Sequence, residues 1–518
     1  MVDTVDALVR FHSAHDEAKP MVIDLDHRLS YRELDITTHD LALAFIDAGV
    51  VKGTRVGLIM PNGVRWVQIA IALTRIGAVL VPLSTLLAAR ELVAQLRTAS
   101  VQVLISAEFR GHRYVDELAS ALGLSDLSGT LHCPGLPALR QVWMADDLPA
   151  VAYEALVDAV AATVTPSDPM VIMFTSGSSG APKGVLHSHG SALGAVRSGL
   201  ASRCIDSETR LYLPMPFFWV GGFGSGVLSA LMAGATLITE AIPQPDTTLR
   251  LLERERVTLF RGWPDQAEAL ARHPYRAQAD LSALRTGSLE ALLPAEQRAQ
   301  PGARATLFGM TEVFGPYCGY RADTDMPRSA WGSCGKPFPG MEVRITDPDS
   351  GQPVSAGTIG MIQIRGPHTL RGICRRGRED LFTADGFYPT GDLGQLDDDG
   401  FLFYHGRSDE MFKVSGATVY PTEVAQALRE IDGVDNAFVT NVAGAQGDQV
   451  GAVVVCDTSR KSAEELRGSA RGLLSSFKVP KLWLLVDSDD VIPRGPTGKV
   501  DARRLRELLA EADSVPSG

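Results

Sequence analysis

Cysteine is scarce in this sequence, and the few cysteines are dispersed. The 518 residues include six of them, Cys133, Cys204, Cys318, Cys334, Cys374 and Cys456, and no two form a C-x-x-C pair. In a chain of this length, scattered single cysteines indicate reduced thiols rather than a disulfide framework. The composition therefore predicts a cytoplasmic protein.

Basic residues are also in deficit. Lysine and arginine total 49 against 61 aspartates and glutamates, which gives a formal net charge of −12 and a pI near 5.5. General binding to nucleic acid or to an anionic membrane needs a basic face, so neither partner is expected. The first twenty residues lack the apolar core of a signal peptide.

Long uninterrupted apolar runs are absent too. The most apolar stretch, Ile69–Ala89, is broken by Thr74, Arg75, Gly77 and Pro82. A membrane-spanning helix needs about 20 consecutive apolar residues. The stretch therefore predicts a buried helix followed by a strand, and no integral membrane segment is expected.

Strand-like and helix-like segments alternate along the first two-thirds of the chain. Amphipathic segments such as Tyr31–Asp47 and Arg65–Ile76 separate short apolar runs, and Ser30 with Glu33 forms a capping box before the first of them. This alternation predicts an α/β fold with mostly parallel sheets. After Trp331, short segments punctuated by Gly, Pro and Asp favour β-hairpins.

The main domain boundary is predicted at Gly406-Arg-Ser-Asp409. Strand-like residues 412–414, 437–442 and 451–456 and helix-like residues 422–430 and 463–475 follow it. They would form an α+β unit of about 110 residues, a typical domain size. We therefore predict a large N-terminal domain, residues 1–406, built from layered, mostly parallel sheets and a β-rich subdomain, and a small C-terminal domain, residues 407–518.

The stretch from Met173 to Gly190 carries the most specific chemical signal. An apolar run ends in Thr175-Ser-Gly-Ser-Ser-Gly180, and Pro182-Lys-Gly184 follows. Glycines let backbone N–H groups converge on an anion, the hydroxyls add donors, and Lys183 adds positive charge. The pattern predicts a polyphosphate-binding loop that is not a Walker A motif, because Gly184 follows the lysine. A flexible Gly/Ser linker is the alternative, which the adjoining strand disfavours.

Four further polar clusters lie downstream in apolar surroundings. They are Phe308-Gly-Met-Thr-Glu312, Tyr388-Pro-Thr-Gly-Asp392, Gly406-Arg-Ser-Asp409 and Pro493-Arg-Gly-Pro-Thr-Gly-Lys499. The first could stack a base, contact a phosphate and hold a metal, and the second could bind ribose hydroxyls. Taken singly, each is also typical of a turn, a helix N-terminus or a surface lysine.

Together and in this order, the five motifs resemble those of the adenylate-forming superfamily, and most closely those of acyl-CoA synthetases. That superfamily also includes luciferase-like enzymes and peptide-synthetase adenylation domains. The resemblance spans about residues 30 to 510. It implies that the small C-terminal domain is mobile, swings about a hinge at Asp409 and carries the catalytic lysine, Lys499.

The resemblance also implies the residues of an ATP site. Catalysis would involve Lys499, Thr175 and Glu312, with Glu312 holding Mg²⁺ and Phe308 stacking on adenine. Asp392 would bind the ribose diol, and Arg407 would add a ribose or phosphate contact. The implied ATP/AMP-binding set is Thr175, Ser176, Gly177, Ser178, Ser179, Gly180, Lys183, Gly287, Ser288, Phe308, Gly309, Met310, Thr311, Glu312, Asp392, Arg407 and Lys499.

The implied acyl and thiol sites depart from the family pattern at one position. The acyl pocket would be lined by Phe218, Trp219, Gly222 and Phe223, with room made by glycines, and the thiol tunnel by Ser415 and Gly416. Trp219 stands where many acyl-CoA synthetases have histidine, so it could alter substrate shape or thiol access. A core tryptophan is the competing interpretation.

The adenine-side loop also departs from the family pattern. Only half of the usual Gly-Gly-Ala-Pro of this loop is kept in Thr286-Gly-Ser-Leu289.

The function implied by the resemblance is ATP-dependent ligation of a hydrophobic carboxylic acid to CoA through an acyl-adenylate. Its cofactors and co-substrates are ATP, Mg²⁺ and CoA. One alternative is an enzyme that only adenylates and passes the acyl group to a carrier protein or a separate transferase. Another is an ATP-binding regulatory protein without catalysis, which the retained Lys499, Glu312 and Asp392 disfavour. Monomer and homodimer are both left open.

Overall fold

The computed structural model describes residues 3–149, 156–175, 183–348, 350–407, 412–419, 421–444, 447–494 and 500–514. For residues 406, 407, 418, 422, 513 and 514, the description covers the backbone alone.

Strands and helices alternate along the first 272 residues. The strands are β1 (Pro20–Ile23), β2 (Arg28–Ser30), β3 (Arg55–Ile59), β4 (Val79–Pro82), β5 (Val103–Ser106), β6 (Gln141–Met144), β7 (Pro169–Thr175), β8 (Lys183–Ser188), β9 (Arg210–Tyr212), β10 (Thr236–Ile238) and β11 (Leu259–Phe260). The helices are α1 (Val5–His15), α2 (Tyr31–Asp47), α3 (Val64–Arg75), α4 (Ala89–Ala99), α5 (Tyr114–Leu122), α6 (Val157–Ala161), α7 (His189–Gly199), α8 (Val220–Gly222), α9 (Ser229–Ala233), α10 (Pro245–Arg254) and α11 (Pro264–Arg272).

Strands dominate the next part of the chain, and the C-terminal part mixes both. The strands are β12 (Phe308–Met310), β13 (Gly315–Gly319), β14 (Lys336–Pro337), β15 (Glu342–Thr346), β16 (Gly360–Arg365), β17 (Gly372–Ile373), β18 (Tyr388–Leu396), β19 (Leu402–Arg407), β20 (Phe412–Val414), β21 (Ala417–Val419), β22 (Val434–Gly444), β23 (Gly447–Cys456) and β24 (Leu482–Val486). The helices are α12 (Pro421–Arg429), α13 (Ala463–Arg471) and α14 (Ala502–Ser514).

Two largely parallel sheets form the centre of the molecule. The first has seven strands in the order β17-β8-β7-β4-β3-β5-β6, of which β7, β4, β3, β5 and β6 are parallel. The second has the order β11-β9-β10-β1-β2, and β2 is its antiparallel strand. The predicted α/β class with mostly parallel sheets is confirmed.

The capping box predicted at the start of α2 is present. The hydroxyl of Ser30 accepts from the N–H of Glu33 at 3.2 Å, and the Glu33 carboxylate accepts from the N–H of Ser30 at 2.8 Å. Two backbone donors without an intrahelical partner are thereby satisfied, and the helix begins directly after Ser30.

The most apolar stretch of the sequence is a buried helix end followed by a strand, as predicted. All residues from Ile69 to Leu83 are buried, with α3 ending at Arg75 and β4 beginning at Val79. The charge of Arg75 is neutralised by Asp6 and Asp35, each 2.8 Å away. Among the described residues, no helix combines the length and apolar character needed to cross a membrane.

Antiparallel pairing prevails after residue 307. Strands β12-β13-β14 form one antiparallel sheet, and β15-β16-β18-β19 form another. The turn that joins β18 to β19 contains Asp397 and Gly400, whose carboxylate and N–H take part in turn hydrogen bonds. The β-hairpins predicted for this region are confirmed.

The C-terminal residues build a separate small core. Strands β22 and β23 are antiparallel, β24 pairs with β23 in parallel, and α12 and α13 pack on them through residues such as Val424, Leu428 and Leu466. The helix predicted over 463–475 is shorter and ends at Arg471. The division between residues 406 and 407 stays a prediction.

A charge cluster joins this C-terminal unit to α4. Lys478 is 7% exposed, and its Nζ lies 2.7 Å from Glu423 and 3.2 Å from Glu91 of α4. The hydroxyl of Ser475 donates to the same Glu91 carboxylate, and Arg90 pairs with Glu430 at 2.5 Å. Removal of Lys478 would leave the largely buried carboxylates of Glu91 and Glu423 without their cation, so Lys478 holds the unit against α4.

Candidate active site

The predicted polyphosphate loop connects two antiparallel strands. Thr175 ends β7 and is the register partner of Lys183, which begins β8. Thr175 therefore lies at the carboxyl end of a parallel strand, the edge of an open α/β sheet where ligands bind. Since side chains alternate along a strand, Lys183, Val185 and His187 share one face of β8.

His187 connects that face to the second predicted motif. Its ring is buried, and its Nε2 donates to the carbonyl oxygen of Thr311 at 2.8 Å. Burial lowers the pKa of His187 to about 4, so the ring is neutral at physiological pH. The hydrogen bond fixes Thr311 beside the strand that carries Lys183. This contact gives the histidine a structural role.

The turn from Phe308 to Phe314 is held by close backbone approach. A side chain at Gly309 would place its first carbon 2.1 Å from the carbonyl oxygen of Gly315, so only glycine fits. Thr311–Val313 form a short 3₁₀ turn that ends at Phe314, a non-glycine residue with φ of 55°. Strained backbone of this kind persists where surrounding structure holds it, often at functional sites.

Glu312 is buried at this turn and contacts the third motif. It is 8% exposed, its carbonyl accepts from the N–H of Leu370 at 2.7 Å, and its Oε1 accepts from the hydroxyl of Tyr388 at 3.3 Å. Tyr388 is the first residue of β18, and Asp392 lies four residues further along that strand. Between the two positions the register of β18 against β16 shifts, and Gly391 has φ of +77°, so a bulge brings them closer than a regular strand would.

Asp392 and Arg407 lie opposite each other in the sheet. They are register partners in β18 and β19, and Asp392 is 5% exposed. The N–H of Asp392 donates to the hydroxyl of Thr390 at 3.0 Å. The structure thus brings together two residues that the resemblance placed on the ribose, although only the backbone of Arg407 is described.

Phe308 belongs to a small aromatic wall. Its ring centroid is 4.9 Å from that of Tyr404 and 5.5 Å from that of Tyr317. Burial raises the pKa of Tyr317 well above its usual value, and the negative charge of Asp392 contributes in the same direction. Sequence reasoning missed both tyrosines and gave Tyr388 no role, although Tyr388 stands inside a recognised motif.

The two predicted residues of the adenine-side loop are Gly287 and Ser288. Gly287 has a φ of +98°, which favours glycine. Ser288 is buried, and its hydroxyl accepts from the N–H of Phe260 at 3.1 Å. The Ser288 side chain thus anchors the end of β11, and its nucleotide contact stays a prediction.

The predicted acyl-pocket residues lie around α8 and the π-helical turn Phe223–Leu228. Phe223 is fully buried against Trp66, Phe218 is 5% exposed, and Trp219 is half-buried. A side chain at Gly222 would come within 2.1 Å of the Pro216 carbonyl oxygen. The space at Gly222 is therefore filled by backbone, whereas the half-buried Trp219 remains available to line a pocket.

The predicted thiol-tunnel residues form the turn between β20 and β21. Ser415 and Gly416 have φ of 49° and 82°, and both are exposed. Gly416 lies directly against Trp263, whose ring is in contact with that of Trp219. Trp263 gave no signal in the sequence.

Several predicted site residues lie outside the described residues. They are Ser176, Gly177, Ser178, Ser179, Gly180, Asp409 and Lys499. Their assignments rest on the sequence motifs.

The described residues fit a magnesium-bound nucleotide. The Tyr317 hydroxyl oxygen is buried, lacks a hydrogen-bond partner among the described residues and belongs to a side chain near Asp392. A buried orphan of this kind is expected where a polar ligand binds. Glu312 offers a buried carboxylate, the hard oxygen ligand that Mg²⁺ prefers.

Two buried histidines predict how stability depends on pH. Burial lowers the pKa of His187 and of His189 to about 4, whereas histidine in an unfolded chain titrates near 6.5. Between these values the unfolded chain binds more protons, so the free energy of unfolding should fall as pH falls from about 6.5 to about 4. Denaturant unfolding across this range gives the free energy of unfolding at each pH. The slope of this free energy against pH should be shallower for His189→Gln than for wild type and unchanged for exposed His132→Gln. Equal slopes in all three proteins would contradict the assignment.

Comparison with known proteins defines the class. Residues 10–374 match the family model described as AMP-binding enzyme. A CoA ligase of Mycobacterium tuberculosis, named for a propanoate on a methyl-dioxo-octahydroindene ring system, is 34% identical over 93% of this chain and 94% of its own length. A feruloyl-CoA synthase from Amycolatopsis sp is 31% identical over 91% of this chain and 92% of its own. The solved amide bond synthetase McbA from Marinactinospora thermotolerans superposes with a TM-score of 0.78 at 25% identity, covering 98% of this chain and 99% of McbA.

The chain belongs to the AMP-binding enzyme family. The resemblance to the adenylate-forming superfamily and the predicted fold class are confirmed.

Proposed function

We propose that this protein is an ATP-dependent carboxylate–CoA ligase of the AMP-forming, acid–thiol type, active in the cytoplasm with ATP, Mg²⁺ and CoA. The observation that carries the proposal is the joint placement of Glu312 and Asp392. Both are buried carboxylates, and Tyr388 connects Glu312 to the strand that carries Asp392. The family match and the CoA-ligase relatives support the same activity.

The first half-reaction joins a carboxylate to the α-phosphate of ATP and releases pyrophosphate. Both reactants are anions, so the barrier falls when cations lie between them. Lys499 would bridge the attacking carboxylate and the α-phosphate, Lys183 would neutralise the outer phosphates, and Glu312 would hold magnesium. Asp392 would fix the ribose, so that the α-phosphate meets the carboxylate in line.

The second half-reaction transfers the acyl group from acyl-AMP to the sulfur of CoA and releases AMP. In the proposed cycle the C-terminal unit rotates about Asp409, which withdraws Lys499 and brings the turn Ser415–Gly416 to the thiol path. The position of that turn against Trp263 supports this arrangement.

For the substrate we propose a hydrophobic, ring-bearing carboxylic acid. Phe218 and Trp219 provide apolar, aromatic surface around α8, and such surface suits an apolar ligand. No aspartate stands near the start of 217–223 to pair an α-amino group, which disfavours amino acids. The named relatives act on a ring-bearing propanoate and on ferulate.

A second candidate is an adenylating enzyme that passes its acyl-AMP to an acceptor other than CoA, such as a carrier protein. It is favoured by the structural likeness to an amide bond synthetase, and by Trp219 at the position where the resemblance implies the wall between the acyl pocket and the thiol path.

A panel of acids separates the two candidates. Pyrophosphate release and thioester formation should be measured with fatty, aryl and polycyclic acids, each with and without CoA. We expect release above background for ring-bearing acids and a matching yield of acyl-CoA when CoA is present. Pyrophosphate release without thioester would support the second candidate, and no release with any acid would contradict both.

A further inference from the structure

A tryptophan outside the recognised motifs stands between the two units of the molecule. The turn between β20 and β21 rests on it: a side chain added at Gly416 would place its first carbon 2.2 Å from Nε1, 2.8 Å from Cε2 and 3.1 Å from Cζ2 of Trp263. These three atoms form one edge of the indole. The backbone of the turn therefore lies on that edge with no room for a side chain.

The same indole meets the predicted acyl pocket. Its ring centroid is 6.3 Å from that of Trp219, with the ring planes at 88°, and Trp219 in turn contacts Phe218 at 5.5 Å and 81°. Perpendicular pairs of this kind are favourable aromatic contacts. The orientation of Trp219 is therefore coupled to that of Trp263.

The backbone of Trp263 is well fixed. Trp263 is the N-cap residue of α11, its carbonyl accepts from the N–H of Ala267 at 3.3 Å, and Pro264 follows at the first helical position. A proline there restricts the preceding residue to extended backbone, and Trp263 has φ of −100° and ψ of 141°. The indole thus projects from a rigid base into the space between Trp219 and the turn.

We propose that Trp263 is the positioning residue that couples docking of the C-terminal unit to the shape of the acyl pocket. One edge of its indole receives Gly416, and its ring sets the orientation of Trp219. The proposal rests on the proposed two-step function. It assigns Trp263 to the thioester step and to acid selectivity, and gives it no part in the nucleotide site.

The experiment is a double-mutant cycle of Gly416→Ala and Trp263→Leu, with the half-reactions assayed separately. Gly416→Ala should lower thioester formation from supplied acyl-AMP at least tenfold, while pyrophosphate exchange stays within about twofold of wild type. Adding Trp263→Leu should restore a large part of the lost rate, because the clashing edge is removed. Gly400→Ala is the matched control: Gly400 has a similar φ of +80° but nothing within 4 Å of the added carbon, so it reports the backbone cost alone.

Acid selectivity supplies a second readout. Trp263→Leu should change the KM for a bulky ring acid relative to a small one by about tenfold in pyrophosphate exchange, with the KM for ATP unchanged. A purely structural role would shift all of these constants together or none of them. Unaltered selectivity together with additive effects in the cycle would overturn the proposal.

The coupling between Gly416 and Trp263 can also be measured without an activity assay. Thermal unfolding of the four proteins of the cycle should be non-additive, because Gly416→Ala should lower Tm more when Trp263 is present than in the Trp263→Leu background. If wild type forms acyl-adenylate but no thioester, the proposed function fails, and the unfolding cycle with acid selectivity still decides the role of Trp263. Additive Tm shifts would show that the turn does not dock on this indole in solution.

Discussion

Replacing Lys499 with alanine is expected to slow acyl-adenylate formation by about 10²-fold or more. A single preorganised positive charge at a transition state contributes a few kcal/mol, because it acts where charge develops and away from bulk water. Pyrophosphate exchange with a preferred acid measures this step. Thioester formation from supplied acyl-AMP should lose much less, since the proposed rotation of the C-terminal unit would withdraw Lys499 from the site in that step.

The control for Lys499 is Lys461→Ala, a lysine elsewhere in the same unit that approaches Gly433. It should leave both half-reactions unchanged. Equal losses in the two half-reactions of Lys499→Ala would point to a folding defect of the C-terminal unit and would remove the assignment of Lys499 to adenylation.

Asp392→Ala should raise the KM for ATP by about 10- to 100-fold. The carboxylate is buried, and hydrogen bonds to a charged group contribute about 1.5–3 kcal/mol. The loss should appear in ATP binding measured by calorimetry as well as in pyrophosphate exchange, and the KM for the acid should change little.

Asp398→Ala offers a matched control, because Asp398 is an exposed residue in the turn that follows the same strand. Its ATP affinity should equal that of wild type. An Asp392→Ala protein that binds ATP normally would show that the buried face of β18 is not the ribose site.

Local signals in the sequence were sufficient for most of the first two-thirds of the fold. Helix α2 has the predicted bounds Tyr31–Asp47, because a capping box fixes its start and an amphipathic pattern runs to its end. The stretch from Ile69 was interpretable because Gly77 and Pro82 interrupt it at the right places. Such features depend on neighbours within a few residues, so the local order of residues is enough to predict them.

Contacts between distant residues were not predictable in this way. The hydroxyl of Tyr388 meets Glu312 across 76 positions of sequence, and no spacing rule relates them. The glycine at position 222 suggested an open pocket, yet the backbone of Pro216 fills that space. Ser475 was expected at the end of a helix, but it lies four residues beyond the end of α13. Its hydroxyl donates to the carboxylate of Glu91 in the other unit. These outcomes depend on tertiary packing, which overrides local pattern.

The cluster of Glu91, Lys478 and Glu423 has a consequence for exchanging parts between relatives. Lys478 forms one ion pair with Glu423 of its own unit and a second with Glu91 of α4. Arg90 of α4 likewise pairs with Glu430 of the C-terminal unit. A chimaera that joins the C-terminal unit of another ligase to residues 1–406 of this chain would inherit Glu91 facing a foreign surface. Such a hybrid needs Arg90 and Glu91 replaced by the donor's own residues at those positions, so the natural crossover for domain grafting includes the start of α4 as well as the linker.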